Sequence, residues 1–163
     1  MRICVSLTES TTGALVDRMV DLAPRADLFE IRADRVTDLD QVSVLRARTQ
    51  PLVFTHLPAA EGGAGDDETP QRHRRILLEA VKRGFDYVDV NLRSGLFDVM
   101  VEKAGRGLIV SYHDLAGVPG DDELDRLYQS MRDAGADIAK IPRRPRTLGD
   151  VGRLLAFARR VTN

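Results

Sequence analysis

Short apolar runs rich in β-branched residues recur along the chain, each separated from the next by room for a helix and two loops. They fall at Arg2–Leu7, Leu28–Asp34, Pro51–Leu57, Tyr87–Leu92, Gly107–His113 and Ile138–Pro142. Runs of this length and composition predict buried strands. The intervening segments change period. In Asp122–Ala134 the apolar residues Leu124, Leu127, Tyr128 and Met131 follow the i, i+3, i+4, i+7 spacing of one helix face. Arg74–Val81 carries a similar stripe of Ile76, Leu77, Ala80 and Val81 between basic residues. Thr147–Val161 carries another, with Thr147 and Asp150 spaced as a helix cap. Gly84, Gly105 and Gly135 each stand just past a helical segment, where a left-handed cap favours glycine.

Six consecutive βα units predict an α/β protein with a parallel sheet and helices outside it. Periodicity leaves two architectures open, a doubly wound sheet and a (β/α) barrel. The glycine fingerprint of a dinucleotide fold does not follow the first strand, where the sequence is TESTTG. No break in composition divides residues 1–163, so one domain is expected.

Charge narrows the function classes. The net charge is −1, from 24 basic and 25 acidic residues, so no basic surface points to nucleic acid or an anionic membrane. One cysteine among 163 residues supports neither a disulfide framework nor a cysteine zinc site, and Cys4 is expected to be a small buried hydrophobe. Without an apolar run of about 20 residues or a signal-peptide pattern, a cytoplasmic protein is expected.

In both architectures functional residues collect at the C-terminal ends of the strands. Glu30, Arg32 and Asp34 alternate on one face of the second run. The third ends in Thr55-His56, the fourth in Asp89-Val90-Asn91 and the fifth in Ser111-Tyr112-His113-Asp114, while Lys140 lies within the sixth. Lys140 is the sharpest candidate. A lysine in an apolar site near other cations (here Arg143, Arg144 and Arg146) is expected to have a lowered pKa and to form a Schiff base with a ketone. His113 is the matching proton-transfer group, with Glu30 to orient it. Lysine, histidine and carboxylate together describe proton abstraction beside a carbonyl. The segment Glu61–Gly65 reads as a flexible loop without the lysine and hydroxyl of a P-loop, and the three histidines lack zinc spacing, so no metal is expected.

The strings FEIRAD, FTHLPAAEGG, DYVDVNL, IVSYHD and ADIAKIP resemble, in order and spacing, the strand motifs of type I 3-dehydroquinate dehydratase of the shikimate pathway. The resemblance implies a (β/α)8 barrel and a lyase acting on 3-dehydroquinate without a cofactor. It makes Lys140 the Schiff-base residue, His113 the general acid/base and Glu30 the residue orienting it. Arg32, Ser6 and Thr55 become substrate contacts. Two departures stand out. The family pattern Thr-x-Arg on the third strand is Thr55-His56-Leu57 here, and His56 points to the opposite face. The two final βα units of the family have no counterpart, so the expected barrel is partial or open unless another chain or segment completes it. Its first and sixth strands are then exposed edges that favour self-association, as in a homodimer. The alternative reading is a weak or inactive homologue serving as a ligand-binding or subunit-interaction module.

Overall fold

The computed structural model describes residues 2–64, 69–114 and 116–162; Gly65, the end of the expected flexible loop, lies outside them. Six strands form one parallel sheet: β1 (Cys4–Leu7), β2 (Leu28–Arg32), β3 (Leu52–Thr55), β4 (Tyr87–Asn91), β5 (Leu108–Ser111) and β6 (Ile138–Lys140). The helices between and after them are α1 (Thr12–Leu22), α2 (Gln41–Ala47), α3 (Pro70–Arg83), α4 (Phe97–Lys103), α5 (Asp121–Asp133) and α6 (Leu148–Thr162). The strand order is β1-β2-β3-β4-β5-β6, with every neighbour parallel. Sequential order is the winding of a barrel, because a doubly wound sheet reverses direction at its centre.

The helix boundaries have local causes. Thr11, Asp40 and Thr69 cap α1, α2 and α3 by accepting from Ala14, Val42 and Arg72 backbone N–H groups. The expected cap at α6 forms in both directions. Thr147 Oγ1 accepts from Asp150 N, while Asp150 Oδ2 accepts from Arg146 N and Thr147 N. Asp121, Asp122 and Glu123 place negative charge at the N-terminal end of α5.

Alternation sorts each strand into two faces. Leu7, Phe29, Ile31, Leu52, Phe54, Val88, Val90, Leu108 and Val110 face outward and are almost wholly buried against the helices. Leu15 and Met19 of α1, Leu77 and Ala80 of α3, Met100 of α4 and Met131 of α5 complete this core. The inner face is mostly polar toward the C-terminal ends and curls on itself. In a flat sheet β2 and β6 would lie roughly 19 Å apart, four strand spacings, yet Lys140 on β6 bonds Glu30 on β2 at 2.8 Å. The sheet is therefore an open part-barrel. Cys4 differs from the sequence expectation for this reason: β1 is an edge of the sheet and leaves the residue exposed. Among the described residues, no helix is long and apolar enough to cross a membrane.

Candidate active site

Register decides which polar side chains meet. Ser6 pairs in register with Glu30, Arg32 with Thr55, Asn91 with Ser111 and Ser111 with Lys140. With Asp89 two residues before Asn91, these side chains share the inner face at the C-terminal half of the sheet. Lys140 is the hub. Its Nζ donates to Glu30 Oε1 and to Asp89 Oδ2, both at 2.8 Å. Thr55 Oγ1 donates to Glu30 Oε1 at 2.8 Å, and the Ser6 hydroxyl donates to Glu30 Oε2.

This network reverses one expectation. Burial opposes the Lys140 ammonium, but Asp89 and Glu30 outweigh it and hold the pKa above the ordinary lysine value. The arginines expected to lower it are elsewhere. Arg143 turns away over Tyr112, and Arg144 and Arg146 are exposed. Burial pushes the Glu30 carboxyl up, yet Lys140, Ser6 and Thr55 together keep it below the ordinary glutamate range.

Glu30 was expected to orient His113. Its oxygens are instead engaged by Lys140, Thr55 and Ser6, and among the described residues no hydrogen bond joins it to the imidazole. His113 Nε2 is buried without a hydrogen-bond partner among the described residues. Burial lowers the His113 pKa, with Asp89 and Glu30 opposing and Lys140 and Arg32 reinforcing the effect. The imidazole is thus neutral near pH 7 and able to accept a proton.

Arg32 binds Asp34 through two parallel bonds of 2.9 and 2.8 Å, and Asp34 also accepts from Ala64 N at 3.0 Å. Thr55 is fully buried, with its hydroxyl directed to Glu30. His56 does face away from the site: its Nδ1 lies 3.1 Å from His73 Nδ1 on α3. Leu57 stands buried where an arginine is usual in the family pattern.

Two residues of the site were not singled out from sequence. Asp89 was visible as a strand-end acid, and alternation in DYVDVNL puts it on the face of Tyr87 and Asn91. Glu61 sits in the loop after β3, where burial pushes its carboxyl pKa up and the nearby Asn91 side chain opposes that shift. Its Oε2, Asp89 Oδ1, Ser111 Oγ and His113 Nε2 are all buried without hydrogen-bond partners among the described residues. Buried polar atoms normally have partners, so this group at the ends of β3 to β5 suits a polar ligand. A cavity of about 300 Å³ lies along the inner face below Glu30 and Lys140, toward the N-terminal ends of the strands, and its other walls include Cys4, Val53, Ile109 and Ile138. A larger concavity of about 590 Å³, lined by Asp86, Lys103 and Gly107, lies at the N-terminal ends of the strands, away from this chemistry. No cluster of three or more metal-ligating side chains occurs among the described residues.

Comparison with known proteins agrees with this arrangement. Residues 3–163 match the family model of type I 3-dehydroquinase. A 3-dehydroquinate dehydratase of Methanothrix thermoacetophila is 31% identical over 154 residues, covering 91% of this chain and 65% of its own length. The structure of 3-dehydroquinate dehydratase from Enterococcus faecalis superposes with a TM-score of 0.84 at 25% identity, covering 96% of this chain and 71% of that one. A type I 3-dehydroquinate dehydratase from Clostridium difficile with covalently modified comenic acid gives a TM-score of 0.83 at 25% identity, covering 96% of this chain and 68% of that one. The chain thus spans about two thirds of the length of these relatives. Family match, strand order and inner-face chemistry coincide over nearly its whole length, and the chain belongs to the type I 3-dehydroquinase family.

Proposed function

We propose that this chain is a 3-dehydroquinate dehydratase domain, a hydro-lyase that removes water from 3-dehydroquinate through an imine on Lys140. The observation that carries this reading is Lys140 at the centre of the inner face, held by Glu30 and Asp89 near His113, whose Nε2 has no hydrogen-bond partner among the described residues. Lys140 first gives up a proton, and its Nζ adds to the ketone carbon. Loss of the carbonyl oxygen as water leaves the protonated imine. That cation withdraws electrons from the neighbouring carbon, and His113 takes a proton from it. The enamine electrons then form a double bond between that carbon and the next one along the ring, whose C–O bond breaks, and the hydroxyl leaves as water with the proton His113 had taken. Hydrolysis of the imine releases 3-dehydroshikimate and frees Lys140. Lys140 supplies the electron sink, so this reading includes no organic cofactor.

Glu30 and Asp89 hold the amine in place, and Arg32 offers its remaining exposed edge to substrate. Ser6 and Thr55 act through Glu30, since each donates its hydroxyl there. The domain acts in the cytoplasm and self-associates through its open sheet edges. A weak or inactive homologue is the second reading, favoured by Leu57 in place of the arginine usual in the family pattern.

Borohydride reduction in the presence of 3-dehydroquinate separates the two. Mass spectrometry is expected to find one stable adduct on Lys140, with dehydroshikimate absorbance growing in unreduced samples. Absence of both adduct and product would overturn the dehydratase reading.

A further inference from the structure

Arg143 is a buried cation with few partners among the described residues. Its backbone is partly accessible, but its side chain is only 1% exposed. Nη1 donates to the Asp114 carbonyl at 3.1 Å and lies 3.4 Å from Asp114 Oδ2. Nε and Nη2 are buried without partners among the described residues. The guanidinium carbon sits 5.0 Å from the ring centre of Tyr112, which Arg93 also covers at 4.4 Å. Burying a cation with most of its donors unused is unfavourable, and replacing such a group by an apolar one is often neutral or stabilising. Fold stability therefore does not explain it.

Its contacts do. Tyr112 and Asp114 flank His113, and Arg143 engages both: the ring of one, the carbonyl and carboxylate of the other. A flat, rigid guanidinium can stack and bond in this way, whereas a flexible ammonium cannot do both. We infer that Arg143 is a positioning residue for His113, a role that rests on the dehydratase reading: it clamps the segment 112–114 and so fixes the imidazole over the inner face. Arg143 reaches from the segment after β6, three residues beyond Lys140, so it also sets the base relative to the amine. The charged groups that act most strongly on His113 are Asp89, Lys140, Glu30 and Arg32. Releasing the clamp changes its distance from all four and admits water.

The test is Arg143→Met, followed by thermal unfolding and by NMR titration of His113, whose resonance is assigned by its loss in His113→Gln. R143M is expected to melt at or above the unaltered chain, while His113 titrates closer to an ordinary imidazole. With 3-dehydroquinate, borohydride still traps Lys140, but product formation falls roughly tenfold or more at unchanged KM, the scale set by misplaced reacting groups. Arg143→Lys restores part of both signals. An unmoved His113 titration in R143M overturns the inference, whatever the melting temperature. If R143M does not fold, the same titration in Arg143→Gln decides, because the amide also lacks the charge and the stacking fork, and an unmoved resonance there overturns it equally. Failure of the dehydratase reading shows separately, as absence of adduct in the unaltered chain, and leaves the titration result standing.

Discussion

An ammonium bonded to two carboxylates is a stable ion and a poor nucleophile. Lys140 therefore needs a proton acceptor before it can attack a ketone, and the rate of adduct formation should rise with pH until the raised lysine pKa is passed. Asp89→Asn removes one of the charges holding the proton. Adduct formation in D89N is expected to reach its plateau at lower pH, read by borohydride trapping across a pH series; an unchanged profile would exclude Asp89 from this control. Glu30 carries a second pH dependence. Its folded pKa is depressed, so its contribution to stability is fully present above the unfolded value of about 4.3 and is lost as pH falls through the folded value. Glu30→Gln should cost about 1–3 kcal/mol at pH 7, because three donors lose a charged acceptor. It should also flatten the acid limb of a urea-unfolding series. These linkages explain why the sign of the Lys140 shift was hidden in the sequence. The arginines adjacent in the chain point elsewhere, whereas the carboxylates come from strands 51 and 110 positions away.

At the scale of elements, strands were legible and loops were not. Each apolar run became a strand, trimmed by one or two residues at most ends, because alternation reports burial directly. The long helices α3, α5 and α6 appeared through their stripes. Helices α2 and α4, at seven residues each, are too short to repeat a face and left no comparable signal. The loop after β3 was read only as glycine-rich and flexible, and its content is more specific. Gly63 N donates to Pro58 O at 3.1 Å, and a Cβ on Gly63 would run into the Leu57 carbonyl. This turn brings Glu61 to Asn91 and Ala64 to Asp34, and so anchors Arg32 as well. Gly63→Ala is expected to lower stability by at least ~1 kcal/mol in chemical denaturation, since the side chain has no compatible space. Full wild-type stability in that variant would show that the turn relaxes freely.

Across the whole molecule, the curled sheet brings β2 and β6 within reach of one lysine but leaves β1 and β6 with one neighbour each. Both edges carry apolar side chains without cover: Ile3 is 51% exposed on the β1 side and Ile138 37% on β6. The outer surface continues onto α6, where Leu155 is 66% exposed beside a groove of about 560 Å³ lined by Ile138, Ile141, Leu154 and Phe157. Unpaired parallel edges offer backbone donors and acceptors, and contiguous apolar surface beside them favours association over solvation. The 163-residue chain is therefore expected to sediment as a concentration-dependent mixture of monomer and dimer. Leu155→Lys lies on the solvent side of α6 and should leave helix content and melting intact while shifting the mixture toward monomer. If the unaltered chain stays monomeric throughout the concentration series, the edges are protected by means other than self-pairing. If L155K dimerises unchanged, the contact lies away from the α6 groove.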